Sequence, residues 1–194
     1  MNDRLTKQIE FIKEIDKIKD IIRKSTRFAS NKKENDAEHS WHICVMAMVL
    51  AEYSNSKDID MLKVLKMLLI HDLVEIHAGD YIFYTDKQAE KERKEKEGAE
   101  ITFGFLPEDQ KKEFIGLWNE FEARITPEAK FARVVDRLEP IMQNYHNGGD
   151  GWIEHKISSD MILDKNSIIK DGSEDISEFV KSMVADTVGK GIIK

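Results

Sequence analysis

Four side chains stand in stretches otherwise built for burial. His71 and Asp72 are adjacent inside the apolar segment Met61 to His77, His39 opens a stretch that continues through Ile43, Val45, Met46 and Ala47, and Asp136 lies among Val134, Val135 and Leu138. An ionised carboxylate in such a helix is strongly unfavourable unless something cationic meets it. Taken singly, each of the four reads as a hydrogen-bonded core residue. Taken together, two imidazoles and two carboxylates form a donor set for one divalent ion. Histidine nitrogen with carboxylate oxygen suits Mn, Co, Fe, Ni or Zn, with Mg kept open, and the lack of thiolates argues against a purely structural zinc site. An ion held this way lowers the pKa of water and polarises a phosphoryl oxygen. Glu75, about one turn beyond the doublet, is placed to orient or deprotonate that water, or else to support a ligating histidine.

The elements that must position these residues read as helices. Leu5, Ile9, Ile12, Ile15, Ile18 and Ile22 recur every three or four residues among charged ones, the pattern of an amphipathic helix packed on one face. After the polar stretch Ser25 to Asp36, Asp36 can cap a second helix from about Ala37 to Tyr53. That helix and the segment Met61 to His77 are apolar nearly all round, which predicts central, buried positions. Gly79 suits the end of the latter. The Lys- and Glu-rich stretch Asp86 to Glu100 reads as a solvated helix. Pro107 opens another, and Thr126 with Pro127 caps the helix that carries Asp136. Pro140 should kink or weaken that helix, and Gly148 with Gly149 ends it. Trp41, Trp118 and the methionines read as core, and no strand-like alternation is convincing. The expectation is an all-α bundle of about six or more helices, in a single domain over 1–194 whose motif-bearing core runs from about 15 to 152, with a less periodic region at 153–194.

Composition narrows the function classes. The chain has 194 residues, which allows one well-formed core, and its net charge of -7 argues against binding a nucleic-acid polymer. Its apolar runs are too short to span a bilayer, the stretch after Met1 lacks the pattern of a secretion signal, and the single Cys44 cannot form an intrachain disulfide. A cytoplasmic protein acting on a small molecule is expected.

The quartet, together with Glu34-Asn35-Asp36-Ala37-Glu38-His39-Ser40-Trp41 and His71-Asp72-Leu73-Val74-Glu75 followed by Gly79-Asp80, resembles the HD-domain phosphohydrolase superfamily, in particular its 5'-deoxynucleotidase subgroup. The resemblance runs from about Ile15 to Trp152. It implies an all-helical HD-domain enzyme, often a homodimer, that releases phosphate from deoxyribonucleoside 5'-monophosphates. It assigns His39, His71, Asp72 and Asp136 to the metal, Glu75 to the water, Arg27 to the substrate phosphate and Asp80 to the sugar. Some members carry Trp after that arginine, where this chain has Phe28. Dinuclear relatives need extra histidines between the doublet and the last Asp; none occurs from Asp80 to Val135, so one metal ion is expected. His42, His77, His146 and His155 are left outside the set. Two alternatives stay open: an HD hydrolase acting on another nucleotide or phosphoester, and a non-catalytic module that binds metal and nucleotide.

Overall fold

A computed structural model describes residues 3–28, 30–79 and 88–194. Among the described residues the chain is all-α apart from one small ribbon. In order it forms α1 (Asp3–Ile15), a 3-10 turn (Asp16–Asp20), β1 (Ile22–Thr26), β2 (Lys33–Asn35), α2 (Asp36–Leu50), a 3-10 turn (Ala51–Tyr53), α3 (Met61–Ile70), a 3-10 turn (His71–Val74), α4 (Glu75–Ala78) and α5 (Gln88–Phe103). There follow α6 (Glu108–Ala123), α7 (Pro127–His146), α8 (Asp150–Glu154), α9 (Ser159–Lys165), α10 (Ile169–Gly172) and α11 (Glu174–Gly189). Among the described residues no helix is long and apolar enough to cross a membrane.

Side-chain caps satisfy free N–H groups at the start of several helices, α2 and α7 among them. Asn35, rather than Asp36, caps α2: its side chain accepts from the Glu38 N–H at 2.9 Å and the Glu38 carboxylate accepts from the Asn35 N–H at 3.2 Å. Thr126 caps α7, as its position before Pro127 predicts. Pro140 does not end α7, which runs on to His146. Proline has no N–H, so the helix lacks its usual donor to the carbonyl four residues back, that of Asp136.

The first amphipathic pattern is broken by the structure. The helix stops at Ile15, and Ile22 starts a strand that pairs antiparallel with β2, Ile22 opposite Asn35 and Thr26 opposite Lys33. Leu5, Ile9 and Ile12 are exposed, while Phe11 and Glu14 are the buried side chains of α1. The helix expected over Met61 to His77 is also divided: α3 tightens into the turn His71–Val74 before α4. A 3-10 turn rotates successive residues by about 120° rather than about 100°, so it resets the directions of His71 and Asp72 relative to α3.

The helices α2, α3 and α7 pack on one another. Ile43, Ala47, Val64, Met67, Leu68, Phe131, Val134 and Val135 are fully buried between them. The region after 153, read as less periodic, contributes to the same cluster through Ile162, Ile169, Val180, Met183 and Val184. A second cluster joins Phe11 and Ile18 to Ile70, Leu73, Val74, Phe103 and Trp118. Trp41 is no core residue: it is 67% exposed. Gly98 lets α5 approach the 3-10 turn, since a Cβ there would lie 2.5 Å from the Val74 carbonyl oxygen.

Candidate metal centre and its surroundings

His39 is in the first turns of α2, His71 and Asp72 open the 3-10 turn after α3, and Asp136 is midway along α7. The packing of these elements brings the four together, all of them buried. His39 Nε2 is 3.3 Å from Asp136 Oδ1 and 3.9 Å from Asp72 Oδ2. His71 Nε2 is 3.1 Å from Asp72 Oδ1 and 3.5 Å from Asp136 Oδ1. Donor atoms about 2.1 Å from one shared ion would have spacings of this size.

The protonation of His71 suits the same purpose. Its Nδ1–H donates to the Leu68 carbonyl at 2.9 Å, which turns Nε2 toward the carboxylates. That buried Nε2 makes no hydrogen bond. Without an ion, the histidines and carboxylates balance one another as charges. Burial opposes charge on His71, yet Asp72 and Asp136 raise its pKa to about 9. Burial also opposes charge on Asp72, and His71, Arg23 and His39 outweigh it, holding the carboxyl below its usual range. The same contest leaves Asp136 well below that range, through His39, His71, Arg137 and Arg133. Two imidazoles and two carboxylates, with an orphaned nitrogen among them, fit a divalent cation.

The surrounding groups fix the carboxylates. Arg133 donates to Asp136 Oδ2 at 3.2 Å and to Glu122 at 2.7 Å, and its guanidinium lies 4.0 Å from the centre of the Phe121 ring. This leaves Asp136 Oδ1 for the histidines. Glu75 is buried at the start of α4, where its charge faces Arg23 and Lys91.

Two features escaped the sequence reading. Arg23 on β1 donates to Asp72 Oδ2 at 2.8 Å and to Asp36 Oδ1 at 2.9 Å. Arg27, the arginine expected near the substrate, donates to Glu38 at 2.7 Å and is about a third exposed. The Lys- and Glu-rich α5 is also more than a solvated face. Its Lys91 pairs with Glu95 at 3.3 Å, and although burial opposes the ammonium charge, Glu95 and Glu75 keep it above its ordinary pKa. Arg23 was hidden because a short ribbon has no long apolar period, and Lys91 because it sits in a charge run. Asp80 lies outside the described residues. His77 is used elsewhere, with Nε2 3.0 Å from Glu14.

Known proteins resemble this chain in sequence and fold. The crystal structure of a predicted metal-dependent phosphohydrolase from Magnetospirillum magnetotacticum MS-1 is 40% identical, with a TM-score of 0.91 and 98% of each chain covered. The 5'-deoxynucleotidase HDDC2 of Danio rerio is 32% identical over 138 residues, 70% of this chain and 66% of that protein. Its namesake from Dictyostelium discoideum is 30% identical over 169 residues, 82% of this chain and 88% of that one. The chain spans about two thirds or less of the length of the vertebrate relatives it matches. The HD domain family profile matches residues 15–177, and with the His71-Asp72 doublet at the centre of the site, this chain belongs to the HD domain family.

Proposed function

We propose that the chain is a metal-dependent phosphomonoesterase that releases phosphate from deoxyribonucleoside 5'-monophosphates, acting as a cytoplasmic homodimer. The observation that carries the reading is that the buried His39 and His71 each lie 3.1 to 3.9 Å from both Asp72 and Asp136, with Arg23 donating to Asp72. The relatives named as 5'-deoxynucleotidases support the substrate class.

In this reading His39, His71, Asp72 and Asp136 hold one divalent ion. When bound, the ion supplies Lewis-acid chemistry, acidifying water and drawing electrons from a phosphoryl oxygen. Mn, Co, Fe, Ni and Zn all suit a mixed nitrogen and carboxylate set, with Mg kept open. Glu75 accepts a proton from the attacking water as the new bond to phosphorus forms. The bond from phosphorus to the 5'-oxygen breaks, and the proton passes to that oxygen to release the nucleoside. Arg23, which is already at Asp72, meets the phosphate, and Arg27, which follows β1 and donates to Glu38, adds the second guanidinium that the resemblance assigns to it. Asp80 keeps the sugar-reading role that the resemblance gives it.

The test is direct. Protein stripped with a chelator and refilled with Mn(II) or Co(II) is incubated with a panel of ribo- and deoxyribonucleoside monophosphates. Phosphate release from the deoxy series, lost in Asp72→Ala, is the expected outcome. Metal binding with no release from any deoxynucleotide would overturn the activity.

A further inference from the structure

The imidazole of His39 is gripped at both nitrogens by one helix. Asp136 Oδ1 is 3.3 Å from Nε2, and Glu139, one turn later on α7, puts Oε2 3.3 Å from Nδ1. His39 and Glu139 are both fully buried. Glu34 on β2 adds a second carboxylate oxygen 3.6 Å from Nδ1. Residues at i and i+3 share a helix face, so one ring can lie between them. Neither sequence motif nor the assigned chemistry uses Glu139.

Only one arrangement of protons on the ring is compatible with these neighbours when the other nitrogen holds a cation. With the proton on Nε2, a lone pair on Nδ1 would face two carboxylates in a space closed to water, and the donor to the ion would be lost. With the proton on Nδ1, Glu139 accepts it and Nε2 presents its lone pair to the centre. Glu139 is itself held: Gln143 Nε2 donates to its Oε1, and His42 Nδ1 lies 3.3 Å from the same oxygen. Such outer carboxylates orient a ligating histidine and raise its basicity.

We propose that Glu139 is the positioning residue of the centre, fixing the ring and tautomer of His39 so that Nε2 faces the ion. This inference rests on the metal reading above, and its test separates the two. Co(II) is titrated into metal-free wild type, Glu139→Gln and Glu139→Ala, following the visible absorption of the bound ion, with melting curves of each metal-free protein alongside. Glu139→Ala should weaken Co(II) binding about 10- to 100-fold. Glu139→Gln, whose amide oxygen can still accept from Nδ1–H, should recover most of that loss. A second measurement needs no variant. In wild type filled with Zn(II), nitrogen NMR of His39 should show the proton on Nδ1 and none on Nε2. Wild type that binds no divalent ion overturns both readings. Equal Co(II) affinity in all three proteins overturns the role of Glu139 alone, even if Glu139→Ala melts lower. Two bound ions in wild type and one in Glu139→Ala would make Glu139 a ligand to a second ion and overturn it as well, as would a His39 bound through Nδ1.

Discussion

At the scale of single residues, the two arginines near the centre make different predictions. Arg23 spans Asp72 and Asp36, both buried, so Arg23→Ala takes one cation away from two buried carboxylates, and breaking buried pairs costs about 3–5 kcal/mol. Arg27 pairs with a partly exposed Glu38, and Arg27→Ala should cost under about 1 kcal/mol. Urea unfolding of the two variants checks this, and KM should rise far more for Arg23→Ala. Glu75→Gln is expected to lower kcat by about 10²- to 10⁴-fold while Co(II) affinity stays near wild type; unchanged kcat would remove Glu75 from proton transfer. The buried cluster of His39, His71, Asp72 and Asp136 was legible because each is polar in an apolar run, a contrast that burial makes costly. Arg23 and Lys91 were not, since an arginine in a polar linker and a lysine in a charge run look like solvent-facing residues until the fold turns them inward. Trp41 failed in the opposite direction: an all-round apolar helix carries no signal for which apolar side chain stays outside.

At the scale of elements, the His71–Val74 turn depends on its neighbours. The expectation of one helix from Met61 to His77 held for apolar content and missed the 3-10 turn, because α- and 3-10-helices bury nearly the same apolar positions and differ in rotation per residue. Gly98 is the close contact that keeps α5 against this turn. Gly98→Ala should push the Val74 carbonyl aside, lowering stability by about 1–3 kcal/mol. It should also weaken Co(II) binding, since the displaced turn carries His71 and Asp72. Unfolding curves and metal titration read the two effects separately. The ribbon that carries Arg23 was missed because its strands have five and three residues, too short for alternation to show.

At the scale of the whole molecule, the core extends beyond the motif-bearing region, for α11 places Val180, Met183 and Val184 in the cluster that holds Ile43 and Leu68. Helical packing was legible from periodicity, but the C-terminal contribution was not, since α8, α9 and α10 are each seven residues or shorter. Cys44 reports on this core. Burial pushes its thiol up to about 11, and the thiolate is the reactive form, so at pH 8 its alkylation should run at least about a hundredfold slower than in the unfolded chain. The folded pKa is the higher one, so this group's contribution to stability is complete below the unfolded value of 9.0 and is lost as pH rises from there through about 11. Labelling rates across pH 7 to 11, with and without urea, measure both effects. Fast labelling of the folded protein at pH 8 would mean that the core around α2 opens readily.

Pro140 gives this core one compliant point. The carbonyl denied a helical donor belongs to Asp136, so the turn that carries a candidate ligand is tethered less firmly than the turns on either side, where Val134, Val135 and Leu138 are packed in the core. A donor on such a turn can follow cations of different radius without dragging the rest of α7 with it. Catholic metal usage would then be a property of the helix backbone, set apart from the identity of the donors. Pro140→Ala should restore the missing hydrogen bond, raise the melting temperature and sharpen the ranking among Mn(II), Co(II) and Zn(II) affinities; an unaltered ranking would place that tolerance in the side chains instead.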